Sequence, residues 1–267
     1  VIKVYSDGEY AEYSFNKLES DVKKQAAGII DEIEKLKKAV PDCVEKIKLA
    51  KLDDEPVSFV KSTQYEINPF TLGAQAITDK LSALRQKGIA SDDRILDCGT
   101  RLSCRKYSKL FLSENKDMEQ NIMITDCAMS FVARKDSEVK SYFTSASNLG
   151  GAEVLDKLES SMKHSVEMTI ALLDSEPITP GEYDCICTPE VTGMIVHEAF
   201  GHGVEMDMFA KKRALAEEYV GEYVASPLVN MHDGAAAADE VASYFFDDDG
   251  VEAKDTVIIE NGVLKQR

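Results

Sequence analysis

Lys109-Leu110-Phe111-Leu112, Asn121-Ile122-Met123-Ile124 and Ser130-Phe131-Val132-Ala133 are short apolar-rich runs separated by polar residues. They lie in a stretch, residues 92–147, whose character is β throughout, and strands at such near-regular spacing imply an antiparallel meander. Gly150-Gly151 breaks it. Beyond the break, Val154, Leu158, Met162, Val166 and Ile170 recur at helical steps. Ahead of the meander, Ala74, Ile77, Leu81 and Leu84 do the same up to Gly88. An amphipathic helix must bury its stripe, and a sheet face is the nearest apolar surface. The expected class is α+β, with N-terminal helices packed on an antiparallel sheet.

Further out, residues 1–15 alternate apolar and polar side chains around Ser6-Asp7-Gly8, the pattern of a β-hairpin. From Asn16 the period changes. Leu18, Val22, Ala26, Ile29, Ile33, Leu36 and Val40 make an amphipathic helix that Pro41 closes. That stripe packs on the protein's own sheet, or serves a coiled-coil partner. Pro56 and Pro69 bracket a stretch read as irregular. Pro177, Pro180 and Gly181 mark the clearest boundary. The expected division is an α+β domain over 1–176 and a second region over 177–267. Tyr183 to Cys187 reads as a strand with Cys185 and Cys187 on one face, suited to core packing or to metal ligation.

The chain has 267 residues, with 31 Lys+Arg against 48 Asp+Glu, a net charge of −17. Length and apolar content suffice for a packed core. The acid excess excludes gripping nucleic acid through bulk charge, so no direct nucleic-acid partner is expected. No window reaches the roughly 18 apolar residues of a spanning helix, so no membrane partner is expected either. Val1-Ile2-Lys3-Val4 lacks the features of a secretory signal and the initiator Met, so the start is expected to be processed or truncated. Six scattered cysteines without a CxxC pair read as buried thiols of a reducing cytoplasm.

Chemistry concentrates in His197-Glu198-Ala199-Phe200-Gly201-His202, which holds two of only four histidines. Imidazole is a good zinc ligand, and a carboxylate beside it can take a proton from bound water. The familiar H-E-x-x-H spacing places both rings on one helix face. Here they are five apart. At 100° per residue, positions four apart differ by roughly 40° around an α-helix and positions five apart by roughly 140°. Both rings can reach one ion only if the helix is bulged or kinked, and Gly201 is the residue suited to the distortion. The alternative is a surface helix with two unrelated histidines, which a Glu198 buried among Ile195, Val196, Ala199 and Phe200 would argue against.

The run Met194 to Asp207 (MIVHEAFGHGVEMD) resembles the TldD/PmbA family, the modulators of DNA gyrase. The likeness continues through residues 223–229 (YVASPLV), 246–250 (FDDDG) and 257–264 (VIIENGVL). The resemblance implies a cytoplasmic zinc metallopeptidase acting on unfolded or extended peptides, working as a dimer with itself or with a paralogous subunit that has lost the zinc motif. With HExxxH intact, this chain is of the TldD-like type. His197 and His202 are then the zinc ligands, and Glu198 polarises the attacking water. The family's third ligand is a Cys in its C-terminal domain, and none of the six cysteines here matches it, so it is expected beyond Arg267. By the same resemblance the chain is a piece of a longer protein, and zinc is expected to be weak or absent and activity slight in this segment alone. Glu205, Asp207, Cys187 and His232 are the residues that could substitute.

Other candidates have plainer readings. His232 suits a strand-to-turn junction and His164 an exposed helix position. Asp247-Asp248-Asp249 lacks the alternating spacing of a calcium loop and reads as an acidic turn. Lys211-Lys212-Arg213 precedes Glu217 and Glu218 and reads as a solvated helix. Against the peptidase stands a second reading, a non-catalytic module that modulates DNA gyrase or pairs with a paralogous subunit.

Overall fold

The computed structural model describes residues 1–6, 9–39 and 55–265. The chain forms two compact units, Val1–Asp53 and Asp54–Arg267. The division expected at 176/177 falls inside the second.

In the first unit, β1 (Ile2–Ser6) and β2 (Glu9–Tyr13) pair antiparallel with Ile2 opposite Tyr13, the expected hairpin. The expected Asp7-Gly8 turn lies outside the described residues, as do Cys43, Val40 of the expected stripe and Pro41, read as closing it. Helix α1 (Val22–Ala39) starts later than Asn16, because Asp21 caps it by accepting from the Lys24 amide at 3.0 Å. Leu18 is therefore outside the helix. Ile29 and Ile33 are buried and α1 touches both hairpin strands, so the middle of the stripe packs internally, while Val22 and Leu36 stay exposed.

The second unit is built on one long strand. Strand β5 (Lys116–Lys135) pairs along one side with antiparallel β4 (Ile95–Leu112). Its other side is shared. β6 (Glu138–Asn148) runs antiparallel to residues 125–135, and β3 (Val57–Ser62) runs parallel to residues 116–121. The meander is as expected, but its strands are fewer and longer. The runs 121–124 and 130–133 belong to one strand, since the intervening polar residues do not turn. Thr125 is buried and its hydroxyl donates to the Gly150 carbonyl at 2.8 Å. The Pro56–Pro69 stretch contains β3, which makes the sheet mixed and not purely antiparallel.

One face of the sheet is covered by α3 (Ala74–Ile89) and α4 (Val154–Leu172). Leu84, Cys98, Met129, Phe131, Leu158 and Met162 interlock there. Gly88 permits the close approach, since a Cβ on it would sit 2.7 Å from Cys98 Sγ and 3.0 Å from the Phe131 ring. A short helix α2 (Pro69–Leu72), capped by Asn68, leads into α3.

Residues 245–252 return to the same sheet. Phe246 is fully buried and meets Phe59 edge-on at 5.9 Å. Asp247 Oδ1 accepts from the amides of Asp249 and Val251, both at 2.9 Å, so the acidic run is a tight turn as read. Asp248 pairs with Lys109, and Lys116 Nζ donates to the Gly250 carbonyl at 2.8 Å.

From Ser175 to Thr188 no regular element forms, so the strand expected at Tyr183–Cys187 is absent and both its cysteines are exposed. Neither thiol packs in a core. After α5 (Pro189–Ala199) come a 3-10 turn at Gly201–Val204, α6 (Met206–Ala210) and a second 3-10 turn at Leu215–Tyr219. A three-stranded antiparallel sheet follows, β7 (Met231–Asp233), β8 (Thr256–Glu260) and β9 (Val263–Leu264). Its core is Val204, Ile258, Ile259 and Leu264, joined by Phe200 and Phe209.

Candidate metal centre

Pro189 opens α5 at its first turn, where the missing N–H costs nothing. The helix carries His197 and Glu198 and stops at Phe200, whose φ of −130° leaves the helical range. The chain then winds again as the 3-10 turn that carries His202. Phe200 and Val204 both join the apolar core on β8 and β9, which anchors the break from either side. The angular arithmetic of one continuous helix no longer applies, and the rings meet. The centroids of His197 and His202 lie 4.6 Å apart.

The break is not a π-bulge, and Gly201 does not absorb it. Gly201 keeps a negative φ, and a Cβ on it would make only ordinary contacts, the nearest 3.6 Å from the Val196 carbonyl. Phe200 takes the irregular conformation instead.

One donor atom from each of His197, Glu198 and His202 lies within 4.8 Å of the other two. Among the described residues no other group of three His, Cys or acidic side chains converges in this way. Glu198 Oε2 stands 3.9 Å from His202 Nε2. On the far side of that ring, Glu205 Oε1 lies 2.6 Å from Nδ1. This hydrogen bond, seconded by the charges of Glu205 and Glu198, raises the pKa of His202 above the usual histidine value.

The helix around the motif is not buried. Glu198 is 67% exposed at its side chain, and α5 buries none of its residues. Burial therefore does not force a partner on Glu198, contrary to expectation. What distinguishes this carboxylate is its place 3.9 Å from His202 Nε2 and within 4.8 Å of a ring nitrogen of His197.

Of the possible substitutes, Glu205 contacts His202, while Asp207 is paired with Lys211 at 2.7 Å. Cys187 is exposed. His232 lies within β7 with Nδ1 2.9 Å from Asp255 Oδ1, and His164 is exposed on α4 beside Tyr142. The Glu205 contact was missed in the sequence, although its signal is there. His202 and Glu205 are three apart, the spacing at which side chains eclipse in a 3-10 turn.

Residues 180–267 match the family model described as the PmbA/TldA metallopeptidase C-terminal domain. A metalloprotease of Methanocaldococcus jannaschii is 30% identical over 176 residues, 66% of this chain and 39% of that protein. The matched region, residues 180–267, is that of the TldD/PmbA family. A zinc metalloprotease TldD homolog of Saccharolobus solfataricus is 37% identical over 89 residues, 32% of this chain and 19% of its own length. The chain thus spans well under half of each of these relatives. Among solved structures, a Thermotoga maritima protein named as a modulator of a DNA gyrase superposes with a TM-score of 0.74 at 20% identity, covering 98% of this chain and 58% of that one. TldE from Thermococcus kodakarensis gives 0.60 at 17% identity, covering 91% and 54%. At these identities the likeness shows the fold, and the α+β architecture above is the TldD/PmbA one. No helix among the described residues is long and apolar enough to cross a membrane.

Proposed function

We propose that the intact protein is a TldD-like zinc metallopeptidase that hydrolyses peptide bonds in unfolded or extended peptides. The observation that carries this reading is the meeting of His197 and His202 at 4.6 Å with Glu198 beside them. Two neutral imidazoles are a donor set suited to zinc, and they supply two of the three protein ligands of a catalytic site. The third is the Cys that the family's pattern places beyond Arg267.

Zinc, if held by His197 and His202, would supply Lewis-acid chemistry that makes a water more acidic and a peptide carbonyl more electrophilic. Glu198 accepts the water proton at a carboxylate oxygen and returns it to the leaving amine nitrogen. An extended substrate held through its backbone amides and carbonyls makes few demands on sequence, which suits unfolded chains.

On α5, Val191, Met194 and Ile195 are 50%, 68% and 51% exposed. Apolar exposure on that scale supports an assembly that covers the helix, a homodimer or a heterodimer with a paralogous subunit. The free thiols of Cys98, Cys104, Cys127, Cys185 and Cys187 suit a reducing cytoplasm. Convergence of the two rings favours this reading over a non-catalytic module.

The test uses the full-length protein. Glu198→Gln should keep its zinc while cleavage of an unfolded peptide falls by about 10²–10⁴-fold. Undiminished hydrolysis would overturn the role of Glu198.

A further inference from the structure

We infer that Glu205 is a positioning residue: its carboxylate fixes the ring and tautomer of His202, making Nε2 the nitrogen that binds metal. The inference rests on the reading of His197 and His202 as ligands.

A carboxylate ionised at neutral pH can only accept hydrogen bonds, so the 2.6 Å contact requires the proton on His202 Nδ1. In the neutral ring this leaves the lone pair on Nε2. That nitrogen is the one that faces Glu198, at 3.9 Å. Glu205 thus sits behind the ring while the cluster sits in front of it. Bound at Nδ1, its carboxylate is not placed to ligate the same ion, which argues against Glu205 as a substitute third ligand.

The backbone under Glu205 is held from both sides. Val204, immediately before it, is buried in the apolar core. Immediately after it, α6 begins, and the Glu205 carbonyl accepts from the amides of Met208 at 3.0 Å and Phe209 at 3.4 Å. Glu205 follows directly on the 3-10 turn, three residues after His202, and its carboxylate meets the ring at 2.6 Å without a long flexible reach. Both side chains are half exposed, 54% and 51%, and an ion pair in that setting contributes little to stability. Its consequence is orientation. Carboxylates that hold a metal-binding imidazole in this way typically change metal affinity 10- to 100-fold when removed.

The experiment measures zinc dissociation constants by chelator competition in the full-length protein, with cobalt(II) absorption as a second readout. Glu205→Ala should weaken zinc roughly 10- to 100-fold. Glu205→Gln should recover part of that loss, because the amide oxygen still accepts from Nδ1–H. The cobalt band should keep its position in both variants, since the ligand set is unchanged, and the circular dichroism should match the parent. Zinc bound as tightly by Glu205→Ala as by the parent overturns the inference while leaving the metal site standing. Equal loss in both variants with a shifted cobalt band makes Glu205 a ligand and also overturns it. A parent protein that binds no zinc removes the underlying reading, and this one with it.

Discussion

Gln120 and Phe246 stand 126 residues apart in the chain and share hydrogen bonds in the buried interior: Gln120 Nε2 donates to the Phe246 carbonyl at 3.0 Å, and Gln120 Oε1 accepts from the Phe246 amide at 3.4 Å. The same Oε1 accepts from the Phe245 amide at 2.8 Å. One side chain of β5 thereby ties the acidic turn to the sheet. Gln120→Leu keeps the volume and leaves these buried backbone groups unpaired, so it should destabilise the protein by about 1–3 kcal/mol in urea unfolding. A shift under about 0.5 kcal/mol would show that the turn is held by packing alone.

Two glycines in the C-terminal region should respond in opposite ways. Gly262 has φ 83°, and a Cβ on it would lie 2.5 Å from the Ala225 carbonyl oxygen. Gly262→Ala should therefore cost about 1–3 kcal/mol. Gly201→Ala should cost under about 1 kcal/mol and leave zinc bound, because Phe200 carries the helix break. Comparison of the two unfolding midpoints decides it, and loss of zinc in Gly201→Ala would return the break to Gly201.

The thiols divide sharply by environment. Burial pushes Cys127 up to about 11 and also raises Cys98, so both are protonated and shielded at neutral pH. Cys185 and Cys187 lie exposed on irregular chain. Brief alkylation of the native protein followed by peptide mapping should label Cys185 and Cys187, with Cys98 and Cys127 modified only after unfolding. Early labelling of Cys127 would contradict the packing of α4 on the sheet.

Acid should weaken the junction between α3 and β4. A fork of hydrogen bonds from the Arg94 side chain, with its backbone amide, holds Asp92 at about 2. A carboxylate depressed in the folded state stabilises above its unfolded value of roughly 4 and loses that contribution as pH falls through about 2. Asp92→Asn should flatten this part of the acid limb while leaving stability between pH 6 and 8 changed by only a small, constant amount. An unaltered acid limb would mean that the pair also forms in the unfolded chain.

Periodicity was enough to place α3, α4 and the hairpin, because each carries an apolar stripe that its own spacing announces. It failed where pairing, not pattern, makes the element. Val57–Ser62 becomes a strand against the open side of β5, and its only local mark is the short alternation of Val57 and Phe59 with exposed neighbours. Residues 121–133 form one strand because the Thr125 hydroxyl finds the Gly150 carbonyl, a partner set by the tertiary fold. The Tyr183–Cys187 alternation finds no neighbour to pair with among the described residues. At the site, the spacing of His197 and His202 foretold a departure from regular helix. Its form, a break at Phe200 anchored by Val204, depended on apolar partners about 60 residues away in sequence, at Ile258 and Leu264.

The most direct test is zinc stoichiometry in the full-length protein and in His197→Ala and His202→Ala. The account predicts one zinc per chain in the parent and its loss in each single variant, with circular dichroism unchanged. Full occupancy persisting in both variants would contradict it, because the two rings would then not share an ion.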